Sequence, residues 1–202
     1  MNILAICAAL NNSYFAIKYN NKIASEIIKS DENYHSLYLI SKIKETCSME
    51  EINLDSLDLI AVNCGPGSFT GIRVAMSIAK VIAGELNLPL VCLNTAEILL
   101  EAYNKDILLM DARRDMYFVG TKEKIELVQK DKVADLIKNK NILCDSNCNK
   151  IYPDSICYEN EDKNLGEIML NLAIQKYNNS NNKDEFNYLK SQANYIQTPP
   201  IF

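Results

Sequence analysis

Hydrophobic and polar positions alternate along this chain with two different periods. Ile3-Leu4-Ala5-Ile6 is a short continuous apolar run and reads as a buried strand. Tyr14 to Tyr19 and Lys22 to Ile28 read as an antiparallel hairpin joined at Asn20-Asn21, a pair that tolerates the left-handed backbone of a tight turn. The helical period then takes over from about His35 to Cys47. A strand is predicted over 57–63, a helix from about 69 to 87, a strand over Leu88–Leu93 and a helix over Thr95–Tyr103. The order so far is βββαβαβα.

The pattern then starts again. Ile107-Leu108-Leu109-Met110-Asp111-Ala112 mirrors Ile3-Leu4-Ala5-Ile6-Cys7-Ala8. Strands are predicted at Met116–Val119, Ile125–Val128 and Ile142–Cys144, with helices over Lys132–Lys138 and Asn164–Tyr177. The Asn-rich stretch 178–182 reads as a solvated loop. Two βββαβα halves in tandem predict an α/β fold of the actin/Hsp70-like (ASKHA, ribonuclease H-like) class. The expected lobes are 1–105, carrying the glycine turn and partner helices, and a shortened 106–202. The halves share topology rather than sequence.

Composition narrows the function classes. At 202 residues and 48% hydrophobic content, the chain can bury a substantial core. No apolar run approaches the ~20 residues that span a bilayer. The N-terminus begins with a strand pattern, without a basic segment and cleavage site, so the expected location is cytoplasmic, with no membrane partner. Seven cysteines scattered through apolar runs predict reduced, buried thiols. Cys144, Cys148 and Cys157 fall short of the four ligands of a structural zinc site, so no metal is expected there. The net charge is −5 and no basic stripe exists, which argues against RNA binding by this chain alone.

Three of the six glycines fall within Gly65-Pro66-Gly67-Ser68-Phe69-Thr70-Gly71. The run sits between a predicted strand and a predicted helix. Uncovered amides and a helix N-terminus there make Gly65, Gly67, Ser68, Thr70 and Gly71 a candidate anion-binding turn. The spacing matches neither a Rossmann fingerprint nor a Walker loop. The alternative is a tight turn with Ser68 as helix N-cap.

GPGSFTGIR before an apolar helix, followed by Asp111-Ala112-Arg113-Arg114-Asp115, resembles the TsaB (YeaZ) family, from Met1 to about Thr121. Those proteins are bacterial partners in making threonylcarbamoyladenosine on tRNA. The resemblance implies a heterodimer with TsaD, an assembly joined by the ATPase TsaE, and tRNA met only through the complex. It leaves open a homodimer when the chain is alone. It assigns no catalytic residue and no cofactor here, with nucleotide and metal expected on the partner subunits. One departure stands out. The family usually carries an Asp-Thr-Ser type sequence after the first strand, where this chain has Cys7-Ala8-Ala9. A thiol and two methyls offer Mg²⁺ no hard oxygen ligand. His35 is the only histidine and is read as structural, with Ser36 or Asn33 as the helix cap. Asp111, Arg113, Arg114 and Asp115 read either as an acid–base cluster or as a charged hairpin turn.

On a helical wheel, Arg73, Ser77, Lys80 and Gly84 gather on one side, and apolar residues cover roughly 220° of the rest. A surface helix needs a stripe of little more than ~100°. Either the helix is internal, or Val74, Ala75, Ile78, Ala79, Val81 and Ile82 meet another subunit. TsaB proteins pair with TsaD through their first two long helices, so the resemblance favours the interface. The expected function is a non-catalytic scaffold that activates TsaD, for tRNAs reading codons that begin with A. The alternatives are a small-molecule kinase of the same architecture, opposed by Cys7, and a glycoprotease-like peptidase, opposed by the lone histidine.

Overall fold

A computed structural model describes residues 1–29 and 38–194, and in it the two periods become two mixed five-stranded sheets. In chain order the first set is β1 (Ile3–Cys7), β2 (Ser13–Tyr19), β3 (Lys22–Ile28), α1 (Leu39–Met49), β4 (Leu59–Asn63), α2 (Phe69–Glu85), β5 (Leu90–Leu93) and α3 (Thr95–Tyr103). The second is β6 (Ile107–Asp111), β7 (Met116–Gly120), β8 (Ile125–Gln129), α4 (Val133–Ile137), β9 (Ile142–Cys144), α5 (Ser146–Asn149), β10 (Ile156–Cys157) and α6 (Leu165–Asn179). His35, with Asn33 and Ser36, lies outside the described residues.

The sheets run β3-β2-β1-β4-β5 and β10-β9-β6-β7-β8. In the first, β1 lies between antiparallel β2 and parallel β4; in the second, β6 lies between antiparallel β7 and parallel β9. The same pairing rule therefore builds both sheets, with β1 and β6 as equivalents. The hairpin β2–β3 closes Tyr19 against Lys22, and Asn20 and Asn21 take φ of 49° and 64°, the pair of left-handed residues such a turn requires.

The central strands β1 and β4 of the first sheet are buried on both faces. Leu4, Ile6, Phe15, Ile17, Ile60 and Val62 form a cluster with Leu39 and Ile43 of α1 and with Ala75, Ala79 and Ala83 of α2. Ile3 and Ala5, equally buried, alternate to the opposite side. There α6 packs on β1, β2 and β5, and Gly166 comes so close to Phe15 and Ala16 that an added Cβ would lie 2.9 Å from Ala16 Cβ.

That helix departs from the tandem reading. It follows the second sheet in sequence, yet it completes the first. The compact units are Met1–Thr95 with Asn164–Asn194, and Ala96–Lys163. The expected division near residue 105 is displaced at both ends: most of α3 goes with the second unit and α6 with the first. The physical reason is the apolar face carrying Ile3 and Ala5, which the elements before residue 95 leave uncovered.

Candidate functional site: the ends of the two central strands

The chain leaves β4 through Asn63, which is fully buried. Its Oδ1 accepts the Gly65 amide at 2.8 Å, and its Nδ2 donates to Cys7 Sγ at 3.3 Å. The Thr95 hydroxyl donates to the Pro66 carbonyl at 2.5 Å and lies 3.2 Å from Asn63 Oδ1. The Gly65–Pro66 peptide is cis, and Gly65 and Gly67 have φ of 102° and 156°. Ser68 caps α2 by accepting the Gly71 amide at 3.2 Å. The Ser68 amide is itself taken by the Ala9 carbonyl at 2.7 Å.

This geometry decides what the turn can hold. A Cβ on Gly71 would lie 1.8 Å from the Ala8 carbonyl oxygen, and one on Gly67 would lie 2.1 Å from that of Ala9. The glycines are there so that the β1–β2 loop can press against the start of α2. Carbonyl oxygens of this chain already occupy the positive end of the helix. Gly65, Ser68 and Gly71 spend their amides internally, while Ser68 and Thr70 stay exposed. These hydrogen bonds build a tight turn with Ser68 as N-cap. Asn63, Thr95 and Ala9, which hold the turn, carry no sequence pattern that singles them out.

The apolar arc of α2 divides in two. Ala75, Ile78 and Ala79 are buried inside this chain, covered by the first sheet's own core. Ala75 and Ala79 are fully covered, and Ile78 keeps 8% of its surface accessible. Val74 and Ile82 are half-buried, and Val81 is 71% exposed. On α1, Ile40 and Met49 are also exposed, Met49 by 74%.

At the end of β6 the equivalent position to Cys7 is Asp111. Its carboxylate accepts the Arg113 amide at 3.1 Å and lies 3.4 Å from Lys130 Nζ, which also sits 4.9 Å over the Tyr117 ring. Asp145 accepts the Asp111 amide at 2.6 Å and caps α5. Residues 112–115 form the turn into β7, closed by the Ala112 amide on the Met116 carbonyl at 3.0 Å and the Met116 amide on that of Arg113 at 2.9 Å. Arg113, Arg114 and Asp115 have φ of 62°, 49° and 57°. Three successive left-handed residues with side chains cost roughly 1–2 kcal/mol each. The backbone therefore forms a charged hairpin turn, with Asp111 engaged in holding it.

Burial pushes the Cys7 thiol up, and backbone and Asn63 hydrogen bonds offset this only in part. Cys92 on β5 differs. The hydrogen bond from Cys64 brings it down to about 7 against the opposing effect of burial, helped by Ser191, Lys176 and Lys80. In the second unit, burial raises Cys144 and Cys148. No helix among the described residues is long and apolar enough to cross a membrane.

Two α/β units built on one pairing rule, with the glycine turn closing the first, define a duplicated actin/Hsp70-like protein. Residues 22–184 match the family model of TsaD, tRNA N6-adenosine threonylcarbamoyltransferase. A tRNA threonylcarbamoyladenosine biosynthesis protein TsaB of Buchnera aphidicola (Baizongia pistaciae) is 34% identical over 49% of this chain and 45% of its own length. The TsaB of Bacillus subtilis is 27% identical over 59% and 54%. The chain thus spans about half the length of the curated relatives it matches. YeaZ from Pseudomonas aeruginosa superposes with a TM-score of 0.70 at 18% identity, covering 88% of this chain and 92% of that one. A further structure from that organism, described as similar to peptidase YEAZ, reaches 0.76 at 17% identity and covers 97% and 99%. The chain belongs to the family that the matched model describes, and within it stands with the TsaB (YeaZ) proteins.

Proposed function

We propose that this chain is a non-catalytic subunit in threonylcarbamoyladenosine synthesis, supporting a TsaD that carries metal, nucleotide and chemistry. The observation that carries the reading is the closed end of β1. There a neutral, fully buried thiol stands where the resembled family places an acidic sequence, and the following carbonyls are sealed against the glycine turn. A thiol offers no hard oxygen ligand there, and the glycine turn packs directly against the carbonyls that follow it. The family membership supports the tRNA pathway, and the substrate tRNAs are those reading codons that begin with A. TsaE joins the assembly as its ATPase, and a cytoplasmic location follows from that work.

Val81, flanked by Val74 and Ile82, is the part of the α2 arc open to TsaD. Co-expression with the organism's TsaD should give a complex in size-exclusion chromatography. Val81→Arg should abolish that complex while leaving the isolated chain's melting temperature unchanged, since an exposed substitution moves stability by about 0.5 kcal/mol or less. The isolated chain should show no Mg-dependent ATP hydrolysis. A wild-type chain that fails to pair with TsaD, or that hydrolyses ATP alone, would overturn the reading.

A further inference from the structure

We infer that the Arg113–Arg114 turn is a docking point for the phosphodiester backbone of RNA, used within the assembly proposed above and resting on that reading. The first support is the choice of cation. The chain has eighteen lysines and three arginines, and two of those three are adjacent at this one turn. Lysine serves wherever a point charge suffices. Arginine adds a planar fork that grips a phosphate through two hydrogen bonds.

The second support is the backbone. Outside this turn, the non-glycine residues with left-handed φ among the described residues are Asn20, Asn21, Asn87, Asn104, Asn139 and Glu51. Asparagine is thus the chain's usual answer to that conformation, which its short polar side chain tolerates. At 113 and 114 the chain keeps arginine against that preference. Backbone stability does not account for the choice.

The third is availability. The turn is held at both ends by backbone hydrogen bonds and by the Arg113 amide donating to the Asp111 carboxylate, and Lys130 donates its amide to the Asp115 carbonyl at 3.0 Å. Neither guanidinium takes part. Both residues are exposed and, among the described residues, neither guanidinium has a hydrogen-bond or ion-pair partner, whereas Lys122 and Lys130 are paired with Glu101 and Asp111. Asp115 stands exposed beside the pair, so the turn suits a local grip on one strand rather than a broad electrostatic surface. A chain of net charge −5 without a basic run has to concentrate any RNA recognition in this way. An acidic protein surface would offer related chemistry, and the experiment separates it.

The complex of this chain with TsaD is titrated with an unmodified tRNA transcript across a range of salt concentrations. Replacing both arginines, R113A/R114A, should leave the complex assembled but weaken binding about tenfold at low salt. The slope of log affinity against log salt should shrink by roughly 0.7–0.9 for each phosphate that is no longer neutralised. R113K/R114K should keep the slope and lose affinity, because charge remains and the fork is gone. Unchanged slope and affinity in R113A/R114A would overturn the inference. So would loss of the complex on light scattering with unchanged melting, which would make the turn a protein-binding element. Should R113A/R114A misfold, the lysine variant decides: wild-type affinity there removes the case for arginine. If the wild-type pair does not assemble, the functional reading fails. The same wild-type and variant slopes, measured on the chain alone at low salt, then still test the turn.

Discussion

The ends of β1 and β6 occupy the same place in two equivalent sheets, and they have been put to opposite uses. β1 ends in a buried thiol, followed by two alanines whose carbonyls are pressed onto glycines of a neighbouring turn. β6 ends in a partly exposed aspartate, and after a buried alanine come two arginines and a second aspartate, all three exposed. The first end is dry and satisfied by backbone. The second is charged, and its backbone is held in an unfavourable conformation. A duplicated scaffold has thus kept one strand end for packing and left the other facing solvent, with its arginines open to meet something else. Topology is shared between the halves, whereas chemistry is decided locally.

The comparison can be broken most severely at the sealed end. Gly71→Ala places a methyl group against the Ala8 carbonyl oxygen, a backbone atom with no rotamer to escape by. A loss of about 4 kcal/mol or more, or failure to fold, is expected in urea denaturation. Gly84→Ala is the control within the same helix. The nearest atoms to its Cβ would be those of the Tyr188 side chain, from 3.2 Å, so stability should change by no more than about 1 kcal/mol, with the gain in helix propensity offsetting the crowding.

Exchanging the two ends sharpens the contrast. Cys7→Asp puts a carboxylate into a fully buried site and should cost about 3 kcal/mol at neutral pH. Burial raises that carboxyl's folded pKa above its unfolded value near 4. The penalty should therefore shrink as pH falls toward the unfolded value, a dependence that denaturation between pH 4 and 8 reads directly. Asp111→Cys removes a partly exposed acceptor, its side chain 20% accessible, and should cost about 1 kcal/mol. Equal costs for the two exchanges would dissolve the distinction between the ends.

The smallest effect concerns Cys92. With its pKa at about 7, it should alkylate fastest among the thiols at pH 7, and its rate should rise steeply between pH 6 and 8. The sign for stability follows from the lowered value. The thiolate's contribution is full above the unfolded thiol pKa and is lost as pH falls through about 7. Mass spectrometry of partially labelled protein checks it; equal labelling of Cys92 and Cys148 would contradict the local field described here.

Much of this architecture is legible in the amino-acid sequence. Thr95–Tyr103 and Ile142–Cys144 form over the ranges that periodicity predicts, because each is bounded by turn or capping residues and carries an unambiguous apolar pattern. The hairpin at Asn20-Asn21 followed from residues that accept left-handed backbone. The sealing of the glycine turn was not legible. It depends on the carbonyls of Ala8 and Ala9, and a carbonyl is the same whatever side chain it accompanies. Periodicity also failed to divide the arc of α2. Ala75 and Ala79 are apolar for their own chain's core, and a wheel cannot distinguish that from a surface meant for another protein. The four-residue α5 and the two-residue β10 were too short to show a period.

The position of α6 has a consequence for synthesis. Its residues leave the ribosome well after those of the sheet they cover, because the whole second unit is made in between. At about 5–20 residues per second, β1 to β5 wait several seconds with one apolar face bare. During that interval the nascent chain is a natural client for a chaperone. A stop codon placed just before Asn164 should then yield aggregated protein instead of a smaller soluble one.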